Sequence, residues 1–332
     1  MAETGFMAVY TVLEEQDFHQ LLKDYGIGRL RAFRGISEGI ENSNYLLTVT
    51  APASGTKSEY VLTIAETQAE QDIRFIAQLL TAWHNQGLPV PAPIPTRDGD
   101  TVVLLRGKPA VLIPKIEGDH PVVTTLGQNR AIGSALGRLH QAALAGGLQH
   151  TSHRNLGWIA TTAETFRDSL SPADSDLLER GLTALALIER RQPALPQAVV
   201  HGDLFRDNTL FQGDRLNAII DFFSAGTGYL FFDLAVVVND WCMIGDTLDR
   251  QRLSNLLEAY RQHRSPCGAE QDLWPMFLQV AALRFWVSRL LEQRNRAQTG
   301  IAPGALLINK DPDQYKAILA YHLSQPTPWP LD

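Results

Sequence analysis

Hydrophobic and polar positions recur with two different periods along this chain. Over its first third they alternate, as on half-buried strands. Leu30 to Phe33, Asn44 to Val49 and Tyr60 to Ile64 read as strands. They are separated by a Gly/Ser/Asn segment at residues 35–43 and a Pro/Ser/Gly turn at residues 52–58. One helical pattern follows, from about Gln68 to Gln86, with Ile73, Ile76, Ala77, Leu80 and Trp83 on one face. It stops at Gly87, and Pro89, Pro91, Pro93 and Pro95 form a stiff connector. Val102 to Leu105 and Ala110 to Ile113 read as a hairpin across Arg106-Gly107-Lys108. A small sheet with one helix is expected here.

Beyond Pro114 to Gly118 the period becomes helical. Ile132, Ala135, Leu136, Leu139 and Ala143 fall at helix spacing, and Ser171-Pro172 with Asp174 supplies a helix start. Further helices are expected over about 234–241, 248–262, 273–296 and 312–323. A short hairpin joins Leu210-Phe211 to Leu216–Ile220 through Gly213-Asp214. No internal repeat interrupts this order. The expected class is α+β: a β-rich lobe over residues 1–113, a hinge at 114–118 and a helical lobe over 119–332, with a nucleotide in the cleft between them.

Composition narrows the function classes. The 332 residues carry a net charge of −7, so neither nucleic acid nor an anionic membrane is an expected partner. Two cysteines, Cys242 and Cys267, are too few for a disulfide framework or a Cys-x-x-Cys metal site, as suits a reducing compartment. Glu3, Glu14, Glu15 and Asp17 break any apolar leader, and the apolar stretch Tyr229 to Val238 is too short to span a bilayer. A cytoplasmic protein is expected; oligomeric state is left open.

Chemistry concentrates at His201-Gly202-Asp203-Leu204-Phe205-Arg206-Asp207-Asn208 and Ile219-Ile220-Asp221-Phe222. A carboxylate is followed five residues later by a carboxamide, and a second carboxylate comes thirteen residues after that. Phosphoryl transfer from ATP uses such a set: one Asp accepts the proton of the attacking hydroxyl, while an Asn and an Asp hold Mg²⁺. Taken alone, a His-Gly-Asp triplet is equally a turn. Gly35, Gly39, Asn42 and Ser43 can bring backbone N–H groups to phosphate oxygens, although a plain β-turn accounts for them as well. The hinge, Pro114 to Glu117, is where extended backbone would meet adenine.

With these residues in view the chain resembles the aminoglycoside-phosphotransferase and choline-kinase-like superfamily, small-molecule relatives of protein kinases with a bilobal fold. Gly39 to Tyr45, Leu88 to Pro91, Gly107 to Ala110, His201 to Asn208 and Asp233-Leu234-Ala235 running into Asn239-Asp240-Trp241-Cys242 carry the likeness. Within the superfamily they point to the homoserine-kinase group. The resemblance implies Asp203 as base, Asn208 and Asp221 as Mg²⁺ ligands, and ATP at Gly39, Asn42, Ser43, Pro114 and Ile116. It implies His201 and Asp233 as supports of the loop. A homoserine pocket would need an acceptor for the ammonium, from Asp207 or Asp240, and a cation for the carboxylate, from Arg206, Arg284 or Arg289. Trp241 is a candidate ring in that pocket. Each of these residues is also readable as a surface charge, a helix salt bridge or core.

One departure stands out. Thr63 occupies the third-strand position where kinases carry the phosphate-binding Lys. Glu70 then lacks its expected partner and reads as an exposed helix residue, and Lys108 and Lys115 are the lysines nearest the hinge. Two other readings stay open: a kinase of the same fold for choline, hydroxylysine, methylthioribose or an aminoglycoside, and a nucleotide-binding regulator without activity.

Overall fold

The computed structural model describes residues 10–36, 42–51, 54–191, 195–299 and 311–331. The chain forms two compact units, one ending at Ile116 and one beginning at Glu117.

The first unit is a five-stranded antiparallel sheet with two helices. Helix α1 (Glu15–Tyr25) precedes β1 (Arg29–Ile36), β2 (Asn42–Thr50) and β3 (Lys57–Ala65); α2 (Glu70–Asn85) precedes β4 (Val103–Leu105) and β5 (Lys108–Pro114). The spatial order is β1-β2-β3-β5-β4. Strand alternation sends Tyr45, Leu47, Leu62, Ile64 and Leu112 to one face, where they form a core with Phe18, Leu21, Leu22 and Tyr25 of α1. Those four α1 residues sit at i, i+3, i+4 and i+7, a helical stripe that the acidic residues around it obscure in the sequence. Helix α1 is therefore an element beyond the three strands expected to open the chain. Gly26, with φ of 66°, ends it in the left-handed conformation.

The second unit is mainly helical. It contains α3 (Leu126–Gly146), α4 (Leu156–Glu164), α5 (Pro172–Arg190), α6 (Leu230–Trp241), α7 (Arg250–Arg261), α8 (Gly268–Asp272), α9 (Trp274–Thr299) and α10 (Pro312–Ser324). Ser171 Oγ accepts the Asp174 N–H at 3.2 Å and Pro172 opens α5, as the sequence indicates. Set among the helices are three antiparallel pairs: β6 (Gln197–Val200) with β9 (Gly226–Tyr229), β7 (Thr209–Gln212) with β8 (Arg215–Ile219), and the short β10 (Met243–Ile244) with β11 (Thr247–Leu248). The β6–β9 pair was not anticipated. Each strand has four residues, and their pairing joins segments nearly thirty residues apart, so no local period announces it.

Helix α6 is buried on almost every side and carries Asp233 in its first turn, 1% exposed. Helices α3 and α7 meet backbone to backbone. A Cβ on Gly133 would lie 2.2 Å from the Leu256 carbonyl oxygen, and one on Gly137 would lie 2.7 Å from that of Tyr260. Gly133, Gly137 and His140 fall at i, i+4 and i+7, so the close approach brings His140 against α7. Among the described residues no helix is long and apolar enough to cross a membrane.

Candidate active site

Strand β6 runs into the loop that carries Asp203. Asp233 holds this loop from below by its backbone, accepting the N–H of His201 at 2.9 Å and of Gly202 at 2.8 Å. Gly202 has φ of +77°, a conformation open to glycine at little cost. The His201 ring spans the loop and the end of β8. Its Nε2–H donates to the Ile220 carbonyl at 2.9 Å, and its Nδ1 accepts the Asp203 N–H at 3.2 Å. One nitrogen donates and the other accepts, which defines a neutral tautomer with no lone pair left for proton transfer.

Behind Asp233 lies a buried polar chain. His140 Nε2–H donates to Asp233 at 3.2 Å, the Tyr260 hydroxyl donates to His140 Nδ1 at 2.8 Å, and Arg264 donates to the Tyr260 oxygen at 2.9 Å. Glu270 closes the chain, bound to Arg264 at 2.6 and 2.7 Å. Burial pushes the His140 imidazole below its usual range and so keeps it neutral. Burial alone would raise Asp233, but the His140 hydrogen bond and the His201 backbone N–H outweigh it and hold the carboxyl below its ordinary value. A carboxylate with this many donors is a fixed anchor. His140 was missed in the sequence, where its only trace is a histidine on an otherwise apolar helix face.

Asn208 lies 8% exposed on the short turn at residues 206–208. Its Nδ2 donates to the Asp203 carbonyl at 2.7 Å, which turns the amide oxygen away as the acceptor end. The Ile220 N–H donates to the Asn208 carbonyl at 2.9 Å, so Asp221 follows directly on a residue tied to Asn208. Asp221 itself is exposed and left-handed, with φ of 63°. Among the described residues no group of three or more His, Cys, Asp or Glu could hold a metal by itself. An amide oxygen and one carboxylate suit a hard ion that keeps waters and arrives with phosphate oxygens, as Mg²⁺ does.

Of the basic residues considered for the acceptor, Arg284 reaches Asp203. It is 2% exposed on α9, its Nη1 lies 3.6 Å from Asp203 Oδ1, and it covers the Phe285 ring at 3.9 Å. Arg206 and Asp240 are each other's partners. Asp240 accepts the Arg206 backbone N–H at 2.7 Å and its Nε–H at 3.1 Å, while Arg206 also donates to the Val122 carbonyl at 2.8 Å. Asp207 is exposed on the same turn. Trp241 is buried in the core beside Phe211, with ring centroids 5.8 Å apart. Arg289 donates to the Asp311 carbonyl at 2.6 Å and to Gln314 at 2.9 Å, which fastens the start of α10.

In the first unit, Gly39 lies outside the described residues. Ser43 is fully buried: its hydroxyl accepts the N–H groups of Tyr10 and Thr11 at 2.8 and 2.9 Å and donates to Glu66 at 2.5 Å. Asn42 begins β2, opposite Ala65, while Pro114 pairs with Tyr60 at the other end of β3, with Ile116 two residues beyond. Lys108 is bound to Glu66 and to the Thr11 hydroxyl, on the sheet face that α1 covers. Thr63 points to the opposite face, where its hydroxyl donates to Asn44 at 2.7 Å. Lys115 pairs with Glu59 at 2.8 Å. Both lysines near the hinge thus carry carboxylate partners. Glu70 pairs with Arg74, one turn along α2, at 2.7 Å in solvent.

A base candidate on a braced loop, an amide and a carboxylate set for a phosphate-bound ion, and a kinase-like sheet define a phosphotransferase of small molecules. The sequence profile of the phosphotransferase enzyme family matches residues 32–267, and the chain belongs to that family. Its relatives include the homoserine kinase of Pseudomonas aeruginosa (strain UCBPP-PA14), 39% identical over 95% of this chain and 96% of that protein. That of Janthinobacterium sp. (strain Marseille) is 34% identical over 97% and 98%. The resemblance drawn from the motifs is borne out. Among solved structures, amicoumacin kinase hAmiN in complex with AMP-PNP, Ca²⁺ and Ami superposes with a TM-score of 0.66 at 16% identity, covering 96% of both chains. Spectinomycin phosphotransferase APH(9)-Ia superposes with a TM-score of 0.58 at 11% identity over 96% of both. At such identities these two share the fold.

Proposed function

We propose that this protein is an ATP-dependent homoserine kinase that transfers a phosphoryl group to the side-chain hydroxyl of L-homoserine, giving O-phospho-L-homoserine for threonine biosynthesis. The observation that carries the reading is the braced Asp203 with Arg284 at 3.6 Å, in a chain of which homoserine kinases match 95%. Homoserine carries a hydroxyl and a carboxylate, and this pair of residues complements both.

In this reading Asp203 accepts the hydroxyl proton as the oxygen becomes a nucleophile. Asp233 and His201 fix the loop so that the carboxylate meets the acceptor without rearrangement. Asn208, through its amide oxygen, and Asp221 would hold Mg²⁺. When bound, MgATP would supply the phosphoryl group and the ion would offset negative charge on the phosphate oxygens. Arg284 orients the acceptor through its carboxylate. Thr63, a neutral hydroxyl paired with Asn44, takes no part in holding the phosphates, a task left to backbone N–H groups.

A coupled ADP-release assay over L-homoserine, choline, ethanolamine, hydroxylysine, methylthioribose and an aminoglycoside tests the reading. L-homoserine is expected to exceed choline and ethanolamine in kcat/KM by a wide margin. A better rate with choline or an aminoglycoside would leave the kinase fold and remove homoserine.

A further inference from the structure

A cavity of about 230 Å³ opens beside the catalytic loop within the second unit. Its walls are the β6–β9 pair, the start of α4, the end of α5 and Arg284 of α9. Gly202, the residue before the proposed base, lines it, as does Arg284, whose Nη1 lies 3.6 Å from Asp203 Oδ1. The segment leading into α4 is fastened to β9 and to the turn that precedes it. Thr227 N–H donates to the His150 carbonyl at 2.7 Å, and Ser152 Oγ donates to the Ser224 carbonyl at 3.1 Å. A Cβ on Gly226 would lie 2.7 Å from Ser152, so the contact depends on a bare backbone there.

The charged groups around the cavity are few and of both signs. Arg154 and Arg284 are its cations, and Glu189 is its acid. That is the complement of a zwitterion. A cavity of this volume is large enough to admit the eight non-hydrogen atoms of homoserine. Reach agrees as well: four bonds separate the hydroxyl oxygen of homoserine from its carboxyl carbon, about 4–5 Å. A molecule of that length can set its hydroxyl at Asp203 and its carboxylate at Arg284, whose Nη1 lies 3.6 Å from Asp203 Oδ1.

We infer that this cavity receives the amino-acid end of the acceptor, with Arg154 as a second carboxylate-binding residue beside Arg284 and Glu189 as the partner of the ammonium. The inference rests on the homoserine reading and adds to it the chamber and two residues that no sequence motif marks. Arg154 precedes α4, a helix without a counterpart in the sequence expectations, and Glu189 ends α5.

The test is steady-state kinetics at saturating MgATP with three acceptors: L-homoserine, 3-aminopropan-1-ol without the carboxylate, and 4-hydroxybutanoate without the ammonium. Arg154→Ala is expected to raise KM for L-homoserine and 4-hydroxybutanoate about 10- to 100-fold, the usual cost of losing a charged hydrogen bond, with little change for 3-aminopropan-1-ol. Arg154→Lys should recover part of the loss. Glu189→Gln should raise KM for the two amines and spare 4-hydroxybutanoate. An unchanged KM for L-homoserine in Arg154→Ala, or an equal loss on all three acceptors in Arg154→Ala and Arg154→Lys, overturns the inference. If wild-type protein ignores L-homoserine, the functional reading fails first. The chamber then still stands if Arg154→Ala selectively impairs whichever hydroxy acid is used, and falls if it does not.

Discussion

Asn208 donates its side-chain amide to the backbone carbonyl of Asp203 at 2.7 Å, so the proposed metal ligand also braces the proposed base. Asn208→Asp separates the two duties. It keeps an oxygen for the ion, and it sets a second oxygen against the Asp203 carbonyl. Turnover is expected to stay at least about tenfold low even at saturating Mg²⁺, since loop geometry and metal charge are independent contributions. Full recovery in a Mg²⁺ titration would mean that the brace has no kinetic role.

Asp203→Asn should reduce kcat by about 10²- to 10⁴-fold, the range for a general base, with nucleotide affinity retained. Asp221→Asn should act differently, weakening Mg²⁺-dependent binding of ATP as read by a fluorescent nucleotide analogue. Near-normal turnover in the Asp203 variant would reassign the base.

Asp233 accepts two backbone N–H groups and faces His140. Asp233→Asn leaves one buried donor opposed by another donor, at a cost of about 1–3 kcal/mol. We expect a lower Tm together with a fall in kcat that exceeds any change in KM for ATP. Loss of stability with intact kcat in the folded fraction would limit Asp233 to holding the fold.

His322 predicts the acid limb of stability. It is 1% exposed, its Nε2–H donates to Asn239 at 2.9 Å, and burial pushes its pKa from 6.5 to about 4. The unfolded chain therefore takes up the proton first. The contribution is complete above pH 6.5 and disappears as pH falls toward 4, with an upper bound of roughly 3 kcal/mol. His140, also lowered by burial, has the same sign. Thermal melts at pH 7.5 and 5.0 should show a large loss for wild type and a smaller one for His322→Gln, which keeps an N–H for Asn239. Equal losses would exclude His322 as a source.

The candidate set could be proposed from the sequence because Asp203, Asn208 and Asp221 lie within nineteen residues of chain, where spacing carries information. The strands at Asn44–Val49 and Tyr60–Ile64 were legible by alternation, and most helices by an apolar stripe. What escaped depends on distant segments. His140 acquires meaning only when α3, α6 and α7 bring it to Asp233 and Tyr260, and the β6–β9 pair is sealed by residues with no pattern of their own. Arg206 and Asp240, considered as two ends of a substrate pocket, bind each other across a separation of 34 residues. Lys108 looked available for phosphate until strand alternation set it with Glu66 beneath α1.

The bare stripe of Gly133 and Gly137 gives one methyl group unusual leverage. Alanine at 133 would wedge against the Leu256 carbonyl and push two long helices apart. The displacement would travel along α3 to His140, then through Asp233 to the loop that carries Asp203. A lesion nearly two helical turns from the nearest polar member of that chain would thus be felt as a catalytic defect, and most at high temperature, where the wedged packing has least in reserve. A genetic screen for conditional loss of this enzyme would find such alleles at a helix crossing that touches neither nucleotide nor acceptor.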